Sequence, residues 1–520
     1  MRTGVGPRLA VDNLPAALVY LPSKGGGAAD PAAPGTVNAA NASSRSWPSG
    51  TQATRAGTRG LMQHPTQHPT TNDGTEVRRP LRAARSGPLS GRVRVPGDKS
   101  ISHRALMFTG MATGHAEIKG LLEAEDVLNT AAAIRALGAE VTRTGDAWHV
   151  AGRGVGGLSE PARPLDFGNS GTGVRLMMGI IAGHAMTAQL IGDPSLSRRP
   201  MGRVLTPLKK MGLQVLDDGR ETLPLTVRGT SHLVPIEYRL PVPSAQVKSA
   251  TLIAGLMARG ETTVVETERT RDHTERMLTY LGADVSATAR ADGTTAITVQ
   301  GNAELVGRDI VVPGDPSSAA FLIAAALIVS GSDITVEGVL VNETRAGLYR
   351  TLAEMGADIT FQNEREEGGE AIADIRARHG ELRAVTVPPE RAPSMIDEYP
   401  VLSVVAAFAH GETRMRGLAE LRVKESDRLA ATAAGLSVNG VEARIEGDDL
   451  IVTGASSVAG GGVVETDLDH RIAMSFLVMG LAAREPVTVD DSRMIATSFT
   501  SFEDLTRGLG ADIATPAASE

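Results

Sequence analysis

The chain has 520 residues, 42% of them apolar, 22% charged and 3% aromatic, with a formal net charge of −8 and no cysteine. That length predicts two large globular domains rather than one. The net acidity and scarcity of aromatics exclude a general attraction to nucleic acid or anionic lipid, and the missing thiols exclude disulfides, thiolate metal sites and a cysteine nucleophile.

Residues 1–90 are rich in Gly, Ala, Pro, Ser and Thr, as in GGGAADPAAPG, and keep no helical or strand period. They are expected to be disordered. An organelle-targeting segment and a misplaced start, with Met62 as the true first residue, are the two other readings. The closing PAASE, residues 516–520, is expected to fray. Between these ends one pattern recurs: an amphipathic helix, a glycine, then a strand. It falls at Gly138, Gly212, Gly282, Gly356, Gly440 and Gly510, spaced 70 to 84 residues apart. Leu348, Leu352 and Met355 show the single apolar face of such a helix. The glycine suits a helix C-cap, where positive φ costs it little. Six copies predict a β/α unit used three times in each of two lobes. The longest apolar run, AAFLIAAALIV at 319–329, is too short to span a bilayer.

Polar clusters open several of the helices. GDKSISHR at 97–104 gathers Lys99, Ser100, His103 and Arg104 after a strand. By itself it reads equally as a solvated turn or as an anion site at a helix N-terminus. DFGNSGTG at 166–173 is a Gly-rich loop feeding an apolar helix, and it lacks the lysine of a nucleotide P-loop. Arg198 and Arg199 precede Pro200. Ser244, Gln246 and Lys248 start another helix, where hydroxyl, amide and ammonium suit a phosphate or polyol. Arg269 and Arg271 precede a further helix. Asp397 and Glu398 stand before a run that must be buried, and Lys424, Glu425, Asp427 and Arg428, then Asp469, His470 and Arg471, open two more. If these helix starts converge, they form an anion-attracting cleft containing a few carboxylates.

GDKSISHRAL, GNSGTG, RPMG, SAQVKSA, RVKESDRL and DHRIAMSF follow one another in this order within residues 91 to about 512. In them the chain resembles the 3-phosphoshikimate 1-carboxyvinyltransferase (5-enolpyruvylshikimate-3-phosphate synthase) family of enolpyruvyl transferases. The resemblance implies an α/β fold: a two-lobed inside-out α/β barrel of six βαβαββ repeats, one lobe at 99–313 and the other at 91–98 plus 314–515. It implies transfer of the enolpyruvyl group of phosphoenolpyruvate to the 5-hydroxyl of shikimate 3-phosphate, with release of phosphate. It implies no metal and no organic cofactor, no nucleic-acid or membrane partner, a monomer, and a cytoplasmic location.

Residue by residue, the resemblance gives Lys99, Ser100, Arg104, Ser244, Ala245, Gln246, Arg271, Asp397 and Lys424 to shikimate 3-phosphate. It gives Lys99, Asn169, Gly171, Thr172, Arg199, Gln246, Arg428 and Arg471 to phosphoenolpyruvate. Lys99, Asp397 and Glu425 match the catalytic positions, with Glu425 the proton donor to the enol carbon and Asp397 the base for the 5-hydroxyl. His103 matches no essential position. The chain departs from the family at Thr497, where many members carry lysine. The small Gly171 is expected to leave the loop open to glyphosate. The sister family that modifies UDP-N-acetylglucosamine is the nearest rival, and its usual mobile-loop cysteine is missing here.

Overall fold

All six glycines that close the repeated helices have positive φ, from +76° at Gly440 to +124° at Gly212, as the C-cap reading requires. They belong to a computed structural model that describes residues 78–516. The expectations for residues 1–77 and 517–520 fall outside it.

Each cap turns the chain into a strand, and the described residues form six four-stranded sheets. All six share one pattern, a parallel pair extended by two antiparallel strands. In one, Leu165–Asp166 runs parallel to Thr187–Ile191, which pairs antiparallel with Leu225–Arg228 and then Gln214–Val215. The sheets surround two separate hydrophobic cores. One is built from residues between Ile101 and Val312 with Leu340. The other combines Leu81–Val95 with residues between Ala319 and Ile513. Helix Pro316–Ile328 (PSSAAFLIAAALI) is buried along its whole length in the second core. Each large aliphatic side chain buried there contributes about 1.5–3 kcal/mol. Leu348, Leu352 and Met355 are buried too, on the face their spacing predicted.

Regular structure starts earlier than composition suggested. Leu81–Ala84 is a strand lying between Val487–Val489 and Asp512–Ala514 in the last sheet. Its sequence, LRAA, has no strand signature; its partners, at the far end of the chain, make it one. Ser90–Val93 likewise runs parallel to Asp333–Leu340.

The chain passes twice between the cores, and the two passages bond to each other. Asp98 N–H donates to Pro313 O at 2.7 Å, and Asp315 N–H to Pro96 O at 2.9 Å. Beneath them lies Arg345, 4% exposed. It pairs with Asp98 at 3.1 Å, Asp315 at 3.5 Å and Glu398 at 3.8 Å. Burial, with the charge of Asp98, pushes the Asp315 carboxyl up to about 6 despite Arg345.

Candidate active site

Three groups of side chains occupy the helix starts singled out by sequence. The first lies on helix Lys99–Gly110, whose cap is Asp98, accepting from Ile101 N at 2.8 Å. Lys99 Nζ forms an ion pair with Asp126, a partner sequence reasoning did not name. Arg104 is buried. Its three guanidinium nitrogens donate to Thr274 Oγ1 at 2.7 Å, Ser100 O at 2.9 Å and Ser249 Oγ at 2.8 Å. Burial lowers its pKa to about 10. His103 is fully buried, 2.8 Å from Thr130 Oγ1.

The second group joins the Gly-rich loop to helix Ala245–Gly255. Ser170 caps helix Gly171–Ala182 by accepting from Gly173 N. Thr172 Oγ1 accepts from Gln246 Nε2 at 2.9 Å. Arg199 donates to Asn169 Oδ1 at 2.7 Å, and Asn169 Nδ2 to Asp193 at 2.7 Å. Arg175, which the motifs passed over, donates to Gln246 Oε1 at 3.1 Å and Gly171 O at 3.3 Å. Burial and the neighbouring Arg199 and Arg203 lower its pKa to about 10. The available signal was a single arginine in an apolar helix, one turn beyond Gly171. Ser244 caps its own helix, accepting from Val247 N at 3.4 Å, and Ala245 follows as the first helical residue. Lys248 differs from the sequence expectation: it is buried and paired with Glu275 at 2.7 Å and Glu266 at 3.2 Å. Its ammonium is committed to those carboxylates and closed off from solvent.

The third group is the most highly charged. Asp397 pairs with Arg271 at 2.6 Å and Arg428 at 3.3 Å, and its backbone carbonyl accepts from Arg471 at 3.3 Å. Arg428 is almost wholly buried. Besides Asp397 it holds Glu425 at 2.6 Å and Asp469 at 2.7 Å. Asp469 also caps helix His470–Gly480. Burial by itself would raise Asp397, but Arg471, Arg271, Lys424 and Arg428 outweigh it and hold the carboxyl well below the usual range. Glu425 leaves a third of its side chain exposed. Against the pull of burial, Arg428 above all, with Arg199, holds it below its ordinary value too. The sequence reading needed a proton on Glu425, and in this arrangement it is a carboxylate. Thr497 donates to Met494 O at 2.7 Å within a short 3₁₀ turn.

The predicted residues thus gather as Asp397 with Arg271, Glu425, Arg428 and Arg471, and as Gln246 with Thr172. Arg199 makes its contacts with Asn169 and links the groups through its charge on Glu425. Lys99 bonds to neither group, and Arg104 is held by Ser100, Thr274 and Ser249.

Buried histidines add a pH dependence. Burial, helped by Lys99 and Arg104, lowers His103 to about 3. It is neutral in the fold, whereas the unfolded chain binds a proton below about 6.5. The stability it contributes is complete above pH 6.5 and is lost as pH falls toward 3. His103→Asn, which keeps a donor toward Thr130, should therefore fall behind the wild type in thermal midpoint at pH 7 and close that gap by pH 4.

The EPSP synthase (3-phosphoshikimate 1-carboxyvinyltransferase) family pattern matches residues 83–505. The chain is 58% identical over 445 residues to the 3-phosphoshikimate 1-carboxyvinyltransferase of Methylorubrum populi, covering 85% of this chain and 98% of that one. Against the enzyme of the same name from Parvibaculum lavamentivorans it is 60% identical over 435 residues, 83% and 96% of the two chains. The solved EPSP synthase of Acinetobacter baumannii superposes with a TM-score of 0.77 at 41% identity, covering 84% of this chain and all of that one. The chain belongs to the EPSP synthase (3-phosphoshikimate 1-carboxyvinyltransferase) family.

Proposed function

We propose that the chain transfers the enolpyruvyl group of phosphoenolpyruvate to the 5-hydroxyl of shikimate 3-phosphate by addition and elimination. The observation that supports this best is the convergence of Asp397 and Glu425 on Arg428 with Arg271 and Arg471 beside them. That set offers two carboxylates for proton transfer and fixed cations for migrating negative charge.

Glu425 delivers a proton to the methylene carbon of phosphoenolpyruvate, which makes the neighbouring carbon electrophilic. The 5-hydroxyl oxygen bonds to that carbon while Asp397 takes the hydroxyl proton, giving a tetrahedral ketal phosphate. Elimination breaks the carbon–oxygen bond to phosphate. The methyl carbon returns a proton to Glu425, and Asp397 gives its proton to the departing phosphate. Asp397 is suited to the base role because its cations keep it ionised. Glu425 must first gain a proton. Phosphoenolpyruvate, with carboxylate and phosphate, competes for Arg428 and Arg199 and so lifts the restraint that keeps Glu425 ionised.

In this reading Lys99 exchanges Asp126 for both substrates. Ser100, Arg104, Ser244, Ala245, Gln246, Arg271 and Lys424 serve shikimate 3-phosphate. Asn169, Gly171, Thr172, Arg199, Gln246, Arg428 and Arg471 serve phosphoenolpyruvate. The two separate cores support lobes at 99–313 and at the remainder, closing on the substrates. The reaction is written without a metal or organic cofactor, and the chain is read as a cytoplasmic monomer. The deciding assay is phosphate release from phosphoenolpyruvate. Release is expected with shikimate 3-phosphate as acceptor; release only with UDP-N-acetylglucosamine would overturn the reading.

A further inference from the structure

The segment 269–276, RTRDHTER, touches both cores. Toward the first, Thr274 Oγ1 accepts from Arg104 Nε at 2.7 Å and donates to Ser249 Oγ at 2.7 Å, and Glu275 pairs with buried Lys248 at 2.7 Å. Toward the strands of the second, Asp272 accepts from Asn342 Nδ2 at 2.8 Å, His273 Nδ1 donates to Glu370 Oε1 at 2.7 Å, and Arg276 donates to Gly369 O at 3.2 Å. Immediately before these anchors stands Arg271, 2.6 Å from Asp397.

His273 and Glu370 are 1% and 3% exposed, and the proposed chemistry uses neither. Apolar residues of similar volume would avoid the desolvation cost of such a buried pair, so net stability is a poor account of it. Its geometry gives a better one. Both oxygens of Glu370 are engaged, Oε1 by His273 and Oε2 by Asn342 Nδ2 at 2.7 Å. The carboxylate is therefore fixed in orientation, and it fixes the backbone two residues beyond Arg271 against the strand Glu370–Arg378.

We propose that His273 and Glu370 are positioning residues for shikimate 3-phosphate. They pin the segment to the second core, so that Arg271 meets Asp397 while Thr274 steadies Arg104. The inference rests on the reading above, in which Arg271 and Arg104 serve that substrate. It also makes the segment the joint across which the two cores register the shikimate site, while the phosphoenolpyruvate residues on the Gly-rich loop and at Arg428 hang from other elements.

The test is a comparison of KM for each substrate, with kcat and thermal midpoint, in Glu370→Gln, His273→Phe and His273→Asn. Glutamine has the volume of glutamate but no charge; with its one acceptor taken by Asn342 it faces His273 with an amide N–H, so the charge-assisted bond from His273 is lost. Glu370→Gln and His273→Phe should raise KM for shikimate 3-phosphate about tenfold and leave KM for phosphoenolpyruvate within about twofold, as expected for one lost charge-assisted bond. His273→Asn, which keeps a donor toward Glu370, should recover most of the loss. A fall in thermal midpoint with both KM values unchanged, KM values that move together, or no recovery in His273→Asn would overturn the proposal. Should His273→Phe not fold, the isosteric Glu370→Gln decides alone. A wild-type protein that releases no phosphate from the two substrates defeats the functional reading itself; an active wild type without the KM split defeats only this inference.

Discussion

Glu425→Gln is expected to lower kcat by about 10²–10⁴-fold, the usual contribution of a positioned general acid, with KM for both substrates much less affected. Glutamine keeps the shape and an acceptor toward Arg428, which lies 2.6 Å from the carboxylate, but it has no proton of comparable acidity to give. The pH profile adds a second reading. Arg428 holds Glu425 below its ordinary value, so the acid form exists only when substrate anions draw on that cation. Binding of phosphoenolpyruvate to the wild type should therefore take up a proton, visible as a buffer-dependent heat in calorimetry. The variant should bind without that uptake. Activity within tenfold of wild type, or equal uptake in both proteins, would remove Glu425 from the acid role.

The other large effect is on folding. Gly97→Ala should abolish stable folding or cost more than about 4 kcal/mol, the range reserved for severe backbone conflicts. A Cβ at Gly97 would sit 2.0 Å from Gly120 O and 2.9 Å from Val312 Cγ1. The closer atom is backbone and cannot swing aside. Gly97 also lies where the two passages between the cores pair, opposite Gly314, so any shift would disturb the bonds of Asp98 and Asp315 as well. Gly171→Ala makes the useful contrast. Its nearest atom is Arg175 Nη1 at 2.8 Å, the end of a flexible side chain, and that variant should fold. Denaturant unfolding of both against wild type checks the pair; a soluble Gly97→Ala of normal midpoint would mean that the passages can separate freely.

The features legible in the sequence are those made by neighbours along the chain. The six helix–glycine–strand units depend on a C-cap and a 3.6-residue period, and Gly138 and Gly510 show the signal as plainly as the middle copies. Ser170, Ser244, Asp427 and Asp469 cap their helices through bonds two or three residues ahead, so the helix starts could be placed. What escaped depends on distant partners. Leu81–Ala84 is a strand only because two C-terminal strands flank it. Lys248 looked like a ligand at a helix start until Glu266 and Glu275 enclosed it. Nothing in the motif of Arg104 shows that Thr274 and Ser249, far along the chain, hold its guanidinium in place. Arg175 carried no motif, and its place beside Gln246 comes from the packing of two helices.

The strand Leu81–Ala84 also bears on how the molecule is made. The first core draws almost all its residues from Ile101 to Val312 and can consolidate while later parts of the chain are still being synthesised. The second cannot. Its earliest strand leaves the ribosome first and waits for partners at the very end; Ser86 alone bonds to Asp512, 426 residues away. Closing so large a loop costs entropy before any contact repays it. The last sheet should therefore be the final piece to assemble, and a ribosome stalled before Asp512 would hold a finished first half beside an unfinished second.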